Sequence, residues 1–255
     1  MASRLLGGAA AMSEALVTLD NLTVKRGGRA VLSGIHGCFE RGSMTAIMGA
    51  NGAGKSTLLK SVMGLLPSAQ GRVIRTPHDL DIAYLPQQAA IDHSFPISVG
   101  EVVAMGAWQR VGGFGALKQR TWRRQVAEAL ARVGFDDISK RSIGALSTGQ
   151  FQRVLFARLL LQNAEMVLLD EPFAGVDAAT TRDLLALVCE WHQQGRTIVA
   201  VLHDINQVVR HFPATLLLAG RQIAWGSSEE VLSTEHLQQA LGMSGSAEQS
   251  EGNRL

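Results

Sequence analysis

The segment Gly49-Ala50-Asn51-Gly52-Ala53-Gly54-Lys55-Ser56 has the spacing GxxxxGK[ST], and its setting constrains this chain more than any other stretch. It follows a short, nearly continuous apolar run, Ser43 to Met48, of the kind expected for a strand buried on both faces, and it precedes the helical stretch Ser56 to Gly64. At such a junction glycines let backbone N–H groups turn inward around a polyphosphate, and the start of the helix adds positive potential. Lys55 supplies a point charge for the terminal phosphates and the Ser56 hydroxyl is a candidate ligand for Mg²⁺. Thr57 continues the same turn, so the cradle for a nucleotide is expected over Gly49, Asn51, Gly52, Ala53, Gly54, Lys55, Ser56 and Thr57.

A loop of this kind needs a parallel, helix-covered sheet behind it. Two further buried runs, Met166 to Leu169 and Thr197 to Leu202, are each linked to helical sequence and provide for one. The first stretch differs: Ala15 to Val24 alternates apolar residues and passes through Gly27-Gly28 into Val31 to Phe39, which reads as antiparallel strands. Between Pro96 and Gln162 the pattern is helical. Ser98 with Glu101 forms a capping box, and Trp122, Val126, Leu130 and Val133 recur at helical spacing before Gly134. The expected class is α/β, with a mostly parallel sheet, an N-terminal antiparallel β subdomain and an α-helical subdomain inserted over about residues 96–162. Residues 1–14 read as a leader, 15–242 as the main domain and 243–255 as a disordered Ser-, Gly- and Glu-containing tail.

Composition narrows the classes. The chain has 255 residues, 46% of them apolar, and a net charge of +2, too small for a nucleic-acid footprint. Its longest apolar runs fall well short of the about 18–20 residues a spanning helix requires. Cys38 and Cys189 are far apart and the histidines are scattered, so neither a disulfide framework nor a zinc site is expected. The basic residues Arg110, Lys118, Arg120, Arg123 and Arg124 flank the loop Gly112 to Gly115 and read as a solvated face, with a contact to a partner or to anionic lipid as the alternative.

The run Met166-Val167-Leu168-Leu169-Asp170-Glu171 complements the phosphate loop. A buried strand ending in two carboxylates places them at the carboxyl edge of the sheet, where ligands of open α/β sheets bind. Asp170 is then the candidate metal ligand and Glu171 the candidate general base for an attacking water. His203 follows the strand Thr197 to Leu202, so it reaches the same edge, within range of a γ-phosphate.

Taken together, these residues resemble the nucleotide-binding subunit of an ATP-binding cassette (ABC) transporter, whose P-loop NTPase core has this order of elements. Leu146-Ser147-Thr148-Gly149-Gln150 is similar to the LSGGQ signature, with Thr148 in its third position. Tyr84-Leu85-Pro86-Gln87 resembles the Q-loop, Ala174-Gly175-Val176-Asp177 the D-loop and Leu202-His203-Asp204 the switch histidine. The resemblance implies a homodimer that sandwiches ATP with Mg²⁺ between the phosphate loop of one copy and Ser147, Gly149 and Gln150 of the other, with Asp177 close by. Ser147 and Gly149 open the helical stretch Gln150 to Leu161, which makes a second anion site there physically reasonable. The resemblance also gives Gln87 a place at the metal and the γ-phosphate, and puts a permease contact near residues 88–105. Where the family usually stacks an aromatic ring on adenine, this chain has Val24-Lys25-Arg26-Gly27, so Arg26 is expected to stack its guanidinium instead.

Phe95-Pro96-Ile97-Ser98-Val99, Val102 to Gly106 and Gly175-Val176-Asp177 resemble the subfamily that serves zinc and manganese importers. Iron-siderophore and haem importers carry cassettes of similar size and form the alternative, as does a non-transport ABC ATPase. An importer of this type implies integral membrane permease subunits, an extracytoplasmic solute-binding protein, no nucleic acid, and a peripheral position on the cytoplasmic face of the inner (plasma) membrane.

Overall fold

Met44–Met48, Met166–Asp170 and Thr197–Val201 are buried along their whole length, and the architecture follows from having to cover both faces of such strands. The structure, a computed structural model, describes residues 14–87, 95–107 and 119–251. Its strands are β1 (Ala15–Arg26), β2 (Arg29–Glu40), β3 (Met44–Met48), β4 (Gln70–Arg75), β5 (Ile82–Leu85), β6 (Met166–Asp170), β7 (Thr197–Val201), β8 (Ala214–Leu218) and β9 (Gln222–Ser227). The larger sheet runs β5-β6-β7-β3-β8-β9, parallel from β5 to β8 and closed by an antiparallel β9. A smaller antiparallel sheet is ordered β2-β1-β4. The α/β class with its N-terminal antiparallel sheet is therefore as the sequence predicts.

Alternate side chains of the central strands enter two separate cores, the period-2 consequence of the pleat. Met44, Ala46 and Met48 of β3, Val167 and Leu169 of β6, and Ile198 and Ala200 of β7 face one core. On that side lie the helices α2 (Val99–Ala104), α3 (Gln119–Arg132), α4 (Thr148–Gln162) and α5 (Ala178–Gln193). Ile47, Leu168, Val199 and Val201 face the other, which is filled by Leu16, Leu19, Leu22 and Ile35 of the antiparallel sheet and by Leu58, Leu59 and Val62 of α1 (Lys55–Val62). The chain closes with α6 (Ile205–His211), α7 (Ser228–Val231) and α8 (Thr234–Glu251).

Local chemistry explains the ends of these elements. The Gly27 and Gly28 φ values of 54° and 78° form a two-residue hairpin turn between β1 and β2 that a side chain with a Cβ resists. The expected capping box opens α2, where Ser98 Oγ accepts from the Glu101 amide and the Glu101 carboxylate accepts from the Ser98 amide. Every element described between β5 and β6 is helical. Helix α8 runs on to Glu251, through part of the stretch whose composition predicts disorder; the Ala, Glu and Gln there are sound helix formers. Residues 1–13 of the expected leader, 88–94 of the expected permease contact, and the loop Gly112 to Gly115 with Arg110 and Lys118 lie outside the described residues. Among the described residues no helix is long and apolar enough to cross a membrane.

Trp191 of α5 is fully buried against Phe156 of α4, with ring centroids 5.7 Å apart, while its indole N–H has no hydrogen-bond partner among the described residues. Trp191→Ala should therefore destabilise the protein by about 3–5 kcal/mol in denaturant unfolding. Trp191→Phe, which discards the unpaired donor along with the second ring, should cost less than half of that.

Candidate functional site: a phosphate cradle with paired carboxylates

Register carries the candidate residues to one edge. Leu85 of β5 pairs with Leu169 of β6, Asp170 of β6 with Val201 of β7, and Ile47 of β3 with Val201 on its other side. The residues that follow these four strands, Gln87, Glu171, His203 and the loop from Gly49, consequently emerge side by side at the carboxyl edge of the sheet.

The loop is shaped by its glycines. Gly54, at φ 95°, is the N-cap of α1, and a Cβ there would sit 2.4 Å from Leu32 Cδ2. A Cβ on Gly49 would sit 2.1 Å from the Leu218 carbonyl oxygen. The first turn of α1 has neither a capping side chain nor an acidic residue, so its amides and its positive end remain available to an anion. Lys55 is buried and donates from Nζ to the Gly49 and Ala50 carbonyls at 2.8 and 2.9 Å. Burial pushes the Lys55 ammonium below the usual lysine range, against the pull of Glu171 and then Asp170 in the other direction. A buried cation hydrogen-bonded to carbonyl oxygens is suited to the charge of a polyphosphate.

The two carboxylates stand in different surroundings. Asp170 is 2% exposed; Oδ1 accepts from Ser56 Oγ at 3.0 Å and Oδ2 from the Tyr84 hydroxyl at 3.2 Å. Burial raises Asp170 above the usual carboxylate range, opposed by these two hydrogen bonds. Burial, and then the nearby Asp170 charge, also raise Tyr84, which keeps its hydroxyl a donor. Glu171 is partly exposed, and both its oxygens are engaged: Gln87 Nε2 donates to Oε2 at 2.9 Å and His203 Nε2 meets Oε1 at 2.9 Å.

An open cleft of about 460 Å³ lies over the loop, lined by Arg26, Val31, Asn51, Gly52, Gly54, Lys55, Ser56, Thr57, Gln87 and Glu171. Of the expected cradle residues, Gly49 and Ala53 build the loop from behind: Ala53 is buried and its carbonyl accepts from the Gly220 amide. For Mg²⁺ the donor chemistry fits, since Ser56 Oγ and Asp170 Oδ1 are oxygen donors 3.0 Å apart. Gln87, also expected at the metal, presents its amide nitrogen to Glu171.

Ser147, Gly149, Gln150 and Asp177 are not among the residues lining this cleft. They form a second cluster. Ser147 caps α4 through a box with Gln150, and Asp177 caps α5 by accepting from the Ala179 and Thr180 amides. Asp177 Oδ2 lies 3.5 Å from where a Gly149 Cβ would stand. The hydrogen bond from the Thr180 amide holds Asp177 below the usual carboxylate range. Sequence reasoning missed Tyr84 as a partner of Asp170; the contact depends on the β5–β6 pairing, and no local spacing signals it.

Lys55→Ala should weaken ATP binding by about tenfold or more, read with a fluorescent nucleotide analogue, because Lys55 is the cation carried by the loop itself and charge-assisted bonds to phosphate are the strong ones. An unchanged affinity would contradict the phosphate role.

Comparison with known proteins agrees with this geometry. A family model described as ABC transporter matches residues 32–174. The manganese transport system ATP-binding protein MntB of Bacillus subtilis is 42% identical over 231 residues, covering 89% of this chain and 92% of the relative. The zinc transport system ATP-binding protein TroB of Treponema pallidum is 40% identical over 231 residues, covering 89% and 86%. Among solved structures, an ATP-binding cassette captured as a dimer in a post-hydrolysis state with ADP and phosphate bound is 26% identical, with a TM-score of 0.73 and coverage of 83% of this chain and 98% of that one.

Proposed function

The chain belongs to the ABC transporter family as an ATP-hydrolysing transport subunit, and we propose that it powers import of a divalent metal ion, manganese or zinc, through separate membrane permease subunits. The observation that carries the reading is the meeting of Gln87, Glu171 and His203 beside a cleft floored by the phosphate loop. The names of the relatives support the cargo.

In this reading ATP lies in the cleft with its phosphates on the loop amides and Lys55, and Arg26 stacks on adenine. Ser56 and Asp170 hold Mg²⁺, which neutralises phosphate charge when bound. Glu171 is the general base. Its oxygens are bonded to Gln87 and His203; a γ-phosphate offers those two donors a more highly charged acceptor, which leaves a Glu171 oxygen to accept a proton from water.

One copy supplies only half of the contacts. The Ser147–Gly149–Gln150 cluster is a second anion-binding helix start set apart from the chain's own cleft, and the dimeric cassette with ADP and phosphate supports a face-to-face homodimer in which it closes the partner's site. Closure on ATP and opening after hydrolysis move the permease, which docks on the helical insert near the exposed Phe95 and Met105, on the cytoplasmic face of the membrane. An extracytoplasmic solute-binding protein delivers the metal. Among the described residues no group of three or more His, Cys, Asp or Glu side chains is placed to hold a metal ion.

Glu171→Gln should lower turnover by about a hundredfold or more while ATP stays bound, and should trap a dimer visible by size exclusion. In cells carrying this variant, uptake of radioactive manganese or zinc should fall to background while wild-type cells accumulate the ion. Loss of iron-chelate or haem uptake with normal manganese and zinc uptake would assign the alternative cargo.

A further inference from the structure

Glu171 has φ 51°, in the left-handed region. The other non-glycine residues with positive φ among those described are Asn21, Asp137 and Asn163, whose short polar side chains tolerate it. A glutamate has no such local compensation, and the conformation persists where the surroundings hold it. Two side chains on one face of α4, four residues apart, hold the segment that follows. Gln152, 3% exposed, donates from Nε2 to the carbonyl of the buried Pro172 at 2.6 Å. Phe156 stacks on Phe173, with centroids 6.4 Å apart and planes at 25°. The turn closes on itself where the Ala174 amide donates to the Glu171 carbonyl.

We propose that Gln152 is a positioning residue for ATP hydrolysis: by holding the Pro172 carbonyl it keeps Glu171 in its left-handed conformation, with the carboxylate aimed at the cleft between Gln87 and His203. The inference rests on Glu171 being the base. No other hydrogen bond recorded among the described residues ties the Pro172 carbonyl to the rest of the fold. Without the Gln152 amide that carbonyl is a buried, unpaired acceptor, and the segment is driven to reorient toward water and to relax residue 171 with it. Helix α4 begins at the Ser147–Gln150 cap, so the element expected to touch the partner's nucleotide is the one that sets the chain's own Glu171.

The test uses the full chain as wild type, Gln152→Met, Gln152→His, Glu171→Gln and the Gln152→Met/Glu171→Gln double variant. Methionine keeps length and volume without a donor; the histidine Nε2 sits at matching reach and keeps one. Gln152→Met should lower kcat by about tenfold to a hundredfold, as a misplaced catalytic group does, while the nucleotide dissociation constant stays within about twofold. Gln152→His should restore most of kcat, which also covers the case of a Gln152→Met protein that folds poorly. In the Glu171→Gln background Gln152→Met should cost nothing further, because it acts only through Glu171. Wild-type kcat in Gln152→Met, a matched loss of kcat and nucleotide affinity, or the same fold-loss in both backgrounds would overturn the proposal. A Glu171→Gln protein that turns over at the wild-type rate would instead overturn the base assignment, and the positioning role with it.

Discussion

The structure depends on the parallel pairing of β6, β7 and β3. That ladder is buried on both faces, so its register is held by two cores at once: a slip of one residue would exchange every side chain between them. Because the register is fixed, so is the alignment of the strand ends. Four of the candidate features follow within two residues of a strand end: Gln87 after β5, Glu171 after β6, His203 after β7 and the start of the phosphate loop after β3. Packing thus positions the site.

Within that edge, burial divides the labour between adjacent carboxylates. Asp170 belongs to the strand, lies inside, and satisfies both oxygens with hydroxyl donors, Ser56 and Tyr84, that a metal ion can supplement or replace. Glu171 is one residue beyond the ladder, and its oxygens face nitrogen donors from two other strand ends. The side chain proposed as the base sits where the backbone leaves the sheet, in a left-handed conformation. In the proposed cycle Gln87 and His203 choose between the Glu171 carboxylate and a γ-phosphate, a small local choice that nucleotide charge can decide.

Much of this is legible in the sequence, and the reasons are local. The glycines and Lys55 need no distant partner to announce a phosphate loop, and the apolar runs of β3, β6 and β7 are nearly continuous because both faces are covered. The Ser98–Glu101 box and the stop at Gly134 are equally local. By contrast, β4, with the sequence Gln-Gly-Arg-Val-Ile-Arg, is an edge strand with scarcely a buried residue, so it has no hydrophobic signal to read. Tyr84 beside Asp170 and Gln152 beneath Pro172 depend on contacts 86 and 20 residues apart in the chain. Asp177 carries a D-loop resemblance and also a plain local task, capping α5, which spacing alone does not separate from a role at the nucleotide.

The central claim is that the catalytic site is completed by a second copy. The most direct measurement is the initial ATPase rate per chain of the wild-type protein, at saturating Mg-ATP, over a hundredfold range of protein concentration. Specific activity that falls on dilution in step with loss of the dimer is the result the account predicts. Specific activity that stays constant while the protein sediments as a monomer would contradict it, because the cleft of a single chain would then suffice for hydrolysis.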